Sequence, residues 1–97
     1  MRISEVSTQI LADFLRLDDP TDIELAEIEE MKESAVAEIM SYTGLSLEDM
    51  DRHADLTHAF KMIVADMFDN RNYQTEKSLN YNKAVITILN MHSVNLL

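Results

Sequence analysis

The stretch TDIELAEIEEMKESAVAEIMSYTGL, residues 21–45, indicates more about the fold than any other part of this chain. It contains no proline, and its one glycine, Gly44, stands next to its end. Thr21 and Glu24 have the spacing of a capping box, in which each side chain accepts a hydrogen bond from the other residue's backbone N–H at a helix start. Gly44 suits the left-handed conformation that closes many helices. We therefore predict one long helix that opens at Thr21 and ends at Gly44.

Two kinds of side chain share this helix. Apolar residues recur at spacings of three and four, which places them on one face. They are Leu25, Ile28, Met31, Ala35, Ile39 and Tyr42. Acidic residues fill much of the remainder, among them Glu27, Glu30 and Glu38.

A few apolar residues fall off the main helical stripes. They are Ile23, Val36, Met40 and Met62. A helix with apolar residues on two faces has something to bury on both sides, which favours oligomer formation. Met40 and Met62 are therefore candidate interface residues, although methionine also fills irregular core space.

The most regular apolar pattern lies in residues 55–70. Apolar side chains return every three or four positions throughout, as expected for one face of a helix. They are Leu56, Ala59, Phe60, Ile63, Val64, Met67 and Phe68. We predict a helix from Asp55 to Asn70 that forms the centre of the core, with Phe60, Ile63, Val64 and Phe68 holding the fold.

The rest of the chain predicts shorter helices joined by polar segments. A first helix is capped by Ser4 and stopped by Pro20, because proline pushes its predecessor out of helical geometry. A helical turn begun by Ser46 or Asp51 fits within the connection that follows Gly44. In chain order the predicted segments are helix 5–16, connection 46–53, polar loop 72–80, helix 82–91 and a flexible tail 92–97.

Composition limits the architecture. The 97 residues suffice for one domain, residues 1–97, because two separate cores would be too small. One glycine and one proline leave few turns and hence few strands. The chain contains no cysteine, which excludes a disulfide framework and a thiolate metal site. We predict an all-α fold, a small bundle of about four helices with a long acidic second helix.

Charge is distributed unevenly between the two halves. The formal net charge is −10, but residues 1–55 carry 15 acids against 4 lysines and arginines, a net of −11. Residues 56–97 carry 3 acids against 4 lysines and arginines, a net of +1. An acidic surface repels nucleic acid and anionic membranes. We therefore expect no nucleic-acid recognition and no membrane binding, and no segment approaches the roughly 18 apolar residues of a membrane helix.

The sequence offers little catalytic chemistry. A single glycine excludes a phosphate-cradling loop, and the long helix has no histidine for a carboxylate-bridged metal pair. Residues 49–58 hold a cluster of histidine and aspartate side chains that are potential metal ligands. His53 and His58, however, would lie about 140° apart on a helix. Asp55 and His58 have a spacing that could share an ion. His92 fits a role at a helix end better than catalysis. We assign no catalytic residue, metal or cofactor from the sequence.

The order of the predicted elements carries a family resemblance. A short amphipathic helix ends in LRLD at residues 15–18, an acidic helix in YTGL at residues 42–45, and a strongly amphipathic helix in DNR at residues 69–71. A polar loop and a brief last helix follow. Over nearly the whole chain this order resembles the head–tail connector (adaptor) proteins of tailed bacteriophages and prophages. The Tyr-Thr-Gly and Asn-Arg landmarks carry most of the resemblance; a proline expected at the start of the third helix is missing, and the polar loop is short.

The resemblance implies a structural component of the virion rather than an enzyme. Similar proteins assemble as a ring of about a dozen copies beneath the portal after DNA packaging. The ring extends the DNA channel and offers a platform for head-closure or tail-completion proteins. Membership would place this chain in the host cytoplasm during assembly and at the head–tail junction of the finished virion, with DNA passing through without sequence-specific binding.

The resemblance also implies roles for particular residues. The polar loop and the C-terminal tail become contact regions, with Arg71, Asn72, Tyr73 and Tyr81 as candidate interface residues beside Met40 and Met62. Glu27, Glu30 and Glu38 become candidate channel-facing acids, which would repel DNA phosphates and let the DNA slide. Tyr42 and Gly44 have structural roles at the end of the long helix.

A different class of function remains open beside the connector. An acidic helical adaptor or antitoxin-like protein, binding one basic partner as a monomer or dimer, would have the same charge and helix content. The genes that flank this one discriminate between the two hypotheses.

Overall fold

The chain folds as a bundle of helices in a computed structural model that describes residues 1–70 and 83–93. These two ranges contain helices and connecting loops but no strand, so the predicted all-α fold is confirmed. A 3-10 turn at Ile3–Glu5 comes first. The helices are α1 (Thr8–Phe14), α2 (Asp22–Thr43), α3 (Leu47–Met50), α4 (Ala54–Asn70) and α5 (Lys83–His92).

Both ends of α2 form as the sequence predicts. The Thr21 hydroxyl accepts a hydrogen bond from the Glu24 N–H at 3.1 Å, and the Glu24 carboxylate accepts one from the Thr21 N–H at 3.0 Å. Gly44 has φ 75°, in the left-handed region, and its N–H donates to the Met40 carbonyl at 2.9 Å. Two local motifs thus fix the start and the end of the longest helix.

The N-terminal segment differs from the predicted helix 5–16. Ser7, not Ser4, caps α1 by accepting a hydrogen bond from the Ile10 N–H at 3.1 Å. The prediction placed Val6 inside the helix, whereas Val6 lies before it with extended backbone and is fully buried, as is Ile3 at 1% exposure. A helix that continued back to residue 5 could not keep this extended backbone at Val6. Burial of these two side chains outweighs the local helix signal.

Shorter differences occur along the rest of the chain. The helical turn predicted at Ser46 is confirmed as α3, with the Ser46 hydroxyl accepting from the Asp49 N–H at 3.2 Å. Helix α4 begins one residue before the predicted Asp55, and α5 extends to His92. The predicted loop 72–80, with Arg71, Asn72, Tyr73 and Tyr81, lies outside the described residues, as does the tail from residue 94.

Helix α4 occupies the centre of the bundle and packs against α1, α2 and α5. Phe60, Ile63 and Val64 are fully buried, and Phe68 is partly buried against the same core. Helix α2 contributes Ile28 to this core. The other fully buried apolar residues include Leu11, Ala35, Ile39, Met50, Leu56 and Val85. Among the described residues, none of the helices has the length and apolar character needed to cross a membrane.

Candidate functional surface and a histidine–aspartate cluster

One side of α2 faces away from the core. At 100° per residue, the centre of this side lies opposite the buried Ile28, Ala35 and Ile39. We call it the outer face of α2. It comprises the exposed residues Ile23, Ala26, Glu30, Ser34, Ala37 and Ser41. Helix α2 is therefore packed along one side only within the described residues.

The three acids predicted from the sequence to face a channel lie on or beside this face. Glu30 belongs to it, and Glu27 and Glu38 lie along one edge of it, so that the three acids fall within a sector of about 80°. Glu30 and Glu38 are exposed and Glu27 is half-buried. Over its whole length α2 carries seven acids and one lysine, a net charge of −6. Five of these acids are exposed and the lysine is half-buried, so the exposed surface of α2 is negative.

Exposed apolar side chains lie at both ends of the same region. Ile23 is 74% exposed at the start of α2, and Met40, at the edge of the outer face near its end, is 38% exposed. Met62, the other predicted interface methionine, differs because it is partly buried against the core. The fold therefore leaves more of Met40 than of Met62 available to a neighbouring chain.

A separate cluster forms where the start of α4 meets the end of α5. It comprises His53, Asp55 and His92, all half-buried. His92 Nε2 lies 2.8 Å from Asp55 Oδ2, and the two imidazole rings lie 4.3 Å apart between centroids with a 42° interplanar angle. One potential ligand atom from each residue falls within 4.8 Å of the others. We call this group the His–Asp cluster.

Backbone contacts fix the position of the first part of this cluster. The His53 N–H donates to the Met50 carbonyl at 3.1 Å, and the His53 carbonyl accepts from the Leu56 N–H at 3.1 Å. His53 is thus held between the end of α3 and the first turn of α4. Asp55 lies two residues later, in that first turn.

The end of α5 is tied to the end of α2, and this places His92. The Tyr42 hydroxyl donates to Asn90 Oδ1 at 2.6 Å, and the Ser93 hydroxyl donates to the Tyr42 carbonyl at 3.3 Å. These contacts bracket His92 in sequence. Tyr42, predicted to have a structural role, therefore joins two helices whose contacting residues are 48 positions apart.

Hydrogen bonding perturbs two carboxylates in this part of the fold. The hydrogen bond from His92 lowers the pKa of Asp55 from its ordinary value of 3.8, although burial opposes the change. The hydrogen bond from the Ser4 side chain lowers the pKa of Asp51 in the same way. Ser4, predicted to cap a helix, instead donates to Asp51 through its N–H at 3.1 Å and its hydroxyl at 2.7 Å.

An open depression of about 260 Å³ lies beside Asp51. Arg2, Glu48, Asp51 and Arg52 line it, so both signs of charge are present. Arg52 already pairs with Glu48 at 3.7 Å and with Asp49 at 3.6 Å. The local charges therefore balance one another, which does not favour a charged ligand.

The sequence alone did not identify the His–Asp cluster. Sequence spacing connected Asp55 with His58, but His58 is exposed and does not belong to the cluster. The third member is His92, which comes from the last helix, 37 residues away. The sequence signal that pointed to the cluster was the small number of histidines. The chain has only three, and two of them lie beside Asp55.

Comparison with known proteins adds no identification. No family model, curated protein or solved structure matches this chain significantly.

Proposed function

We propose that this chain is a structural subunit of the head–tail connector type. It assembles as a ring of about a dozen copies beneath the portal, extends the DNA channel and provides a docking platform for head-closure or tail-completion proteins. The observation that supports this best is the exposed side of α2, where Glu30 on the outer face and Glu27 and Glu38 beside it lie between the exposed apolar side chains of Ile23 and Met40. The order of elements that resembles the connector family is the other support.

The two kinds of side chain on this surface suit different parts of a ring. Ile23 and Met40 are exposed apolar side chains, and their burial against a neighbouring copy would lower the free energy of assembly. A heterologous contact joins two different surfaces of successive copies, and it closes a ring when the rotation permits. Glu30, turned toward a channel, would repel DNA phosphates and prevent tight binding to the passing duplex.

The direct test mixes the purified protein with rings of the portal protein encoded in the same genome. We expect a ring of density on the portal by electron microscopy. Met40→Glu places a charge in the proposed contact and should abolish this density while helical content stays unchanged by circular dichroism. Leu47→Glu is the matched control, since Leu47 is also 38% exposed but lies on α3.

Two results would contradict the proposal. One is wild-type protein that leaves the portal rings bare. The other is equal loss of binding by the Met40 and Leu47 variants, which would mean that the outer face of α2 has no special role. A monomer in isolation decides nothing here, because a connector can assemble only on its portal.

The acidic surface of α2 also favours the alternative, an adaptor that binds one basic partner. In that case the neighbouring genes would include a small basic protein rather than portal, capsid and tail genes. Affinity for that partner would fall steeply with salt, because exposed charges are screened within about 10 Å at 0.1 M ionic strength.

A further inference from the structure

We propose that the His–Asp cluster is a binding site for a divalent transition-metal ion, with Zn²⁺ as its best match. The ligands are His53, Asp55 and His92. The site is independent of the connector proposal, because none of these residues lies on the outer face of α2. It would fasten α5 to the start of α4.

The distances in the cluster are close to those of a coordinated ion. Zn²⁺ binds nitrogen and oxygen ligands at about 2.0–2.2 Å, so two ligands of a tetrahedral ion lie about 3.4 Å apart. The atoms of Asp55 and His92 are closer than this, at 2.8 Å, and the widest separation in the cluster is within 4.8 Å. Side-chain movements of about 1 Å would bring these separations to about 3.4 Å and so place the three atoms around one ion. Half-buried side chains leave room for that movement.

The ligand types favour a particular class of metal. Two imidazoles suit Zn²⁺, Cu²⁺, Ni²⁺ and Fe²⁺, whereas Mg²⁺ and Ca²⁺ prefer oxygen ligands alone. A single carboxylate adds one negative charge without turning the site into an oxygen cage. Three protein ligands leave one position of a tetrahedral ion for water or another donor.

The scaffold around the cluster is already organised. His53 is held by backbone hydrogen bonds on both sides. His92 is bracketed by the contacts of Asn90 and Ser93 with Tyr42. A site held by such contacts loses little conformational entropy when it binds an ion, since its ligands are already close together.

A purely structural arrangement is the competing explanation. The hydrogen bond between His92 and Asp55, with the His53 ring packed beside it, satisfies these side chains without any ion. That arrangement predicts no metal affinity above that of scattered surface histidines. The two explanations therefore differ in what His53 contributes to metal binding.

The experiment measures binding of ZnCl₂ by calorimetry and of CoCl₂ by visible absorption, on full-length protein without an affinity tag. We expect one ion per chain and a Co²⁺ spectrum with the intense bands of a low-coordinate nitrogen–oxygen site. Zn²⁺ should raise Tm by about 4 °C or more at saturation, because an ion that binds only the folded chain stabilises it.

Variants locate the site. His53→Ala and His92→Ala should each weaken Zn²⁺ binding at least about tenfold. His58→Ala is the matched control, because His58 is exposed on α4 outside the cluster, and it should bind as the wild type does. If His92→Ala fails to fold, His53→Gln and Asp55→Asn carry the test, with folding checked by circular dichroism.

Three outcomes would overturn the proposal. They are no binding of either ion by the wild type, equal loss in the His58 and His53 variants, and undiminished binding after substitution of His53. The first would mean that the cluster is a hydrogen-bonded structural contact only.

Discussion

Phe60 lies at the centre of α4 with its ring fully buried, and it is the largest fully buried side chain in the described core. Phe60→Ala should lower the free energy of unfolding by about 3–5 kcal/mol, because the mutation removes buried apolar area and leaves a cavity. The free energy of unfolding of a domain of this size is only about 5 kcal/mol, so the variant should be largely unfolded. Urea unfolding followed by circular dichroism measures the effect.

Phe14 provides the comparison within the same chain. It is 40% exposed, and its ring lies 5.8 Å from the Lys61 ammonium. Phe14→Ala should cost less than about 2 kcal/mol, since part of the ring is already in water. Equal losses for both variants would contradict the central position assigned to Phe60.

Gly44 ends α2 in the left-handed region with φ 75°. Gly44→Val should destabilise the protein by at least about 1–2 kcal/mol, because a side chain with a Cβ clashes in this conformation and β-branching adds to the clash. Gly44→Asn should lose less, since asparagine enters the left-handed region more readily. Thermal unfolding compares the two. A variant pair of equal stability would mean that the conformation at residue 44 changes freely.

At the scale of elements, the tie between α2 and α5 depends on Tyr42 and Asn90. Tyr42→Phe removes the hydroxyl that donates to Asn90 Oδ1 and should cost about 0.5–1.5 kcal/mol, near the low end because Tyr42 is 43% exposed. Hydrogen exchange should speed up in α5 more than in α4. A double-mutant cycle with Asn90→Ala isolates the pair, and a coupling energy of zero would show that the bond contributes nothing.

The end of α4 contains an unfavourable charge. Burial, followed by repulsion from Asp69, raises the pKa of Asp66 above its ordinary value of 3.8. The folded state therefore holds this proton more tightly than the unfolded state. The resulting penalty is absent below about pH 3.8 and grows as the pH rises through the raised pKa.

Asp66→Asn should accordingly stabilise the protein at neutral pH. The substitution also removes a negative charge near the C-terminal end of the helix dipole, and we expect a total gain of up to about 1 kcal/mol. The gain should disappear as the pH falls below about 3.8. Urea unfolding at several pH values measures it. Asp18→Asn is the control, because Asp18 lies in an exposed loop away from the end of a helix, and it should stabilise the protein less at neutral pH.

At the scale of the whole molecule, net charge opposes folding. The chain carries −10 and α2 alone −6, so like charges repel within a small volume. Raising salt from about 0.01 to 0.1 M shortens the screening length from about 30 to 10 Å and should raise Tm. Glu30→Gln combined with Glu33→Gln should reduce this salt dependence, because both residues are exposed on or beside the outer face of α2.

A matched control removes two acids that already have a positive partner. Glu48 and Asp49 both pair with Arg52. Replacing Glu48 with glutamine and Asp49 with asparagine should leave the salt dependence of Tm near that of the wild type. The substitutions remove the attraction of these acids to Arg52 as well as their repulsion from the other acids, and salt weakens both. If both double variants show the same salt dependence of Tm, then the total charge of the chain, and not the position of the charges on α2, determines that dependence.

Much of the fold could be predicted because its signals are local. The capping box joins Thr21 to Glu24, and the closure of the helix joins Gly44 to Met40. Each signal thus involves residues only three or four positions apart. The apolar spacing that places Phe60, Ile63 and Val64 in the core is likewise visible along one helix. Together with the scarcity of glycine and proline, these patterns by themselves determined an all-α bundle with a long acidic helix.

The remaining features depended on packing between distant residues. Ile3 and Val6 take positions in the core, which moved the start of α1 from the local cap at Ser4 to Ser7. Asp55 and His92 meet across 37 residues because α4 and α5 pack side by side. Helical periodicity shows which face a residue occupies on its own helix, but it does not show which helix lies opposite. Only the tertiary structure could decide that, because the arrangement of helices is set by the burial of all their apolar faces at once.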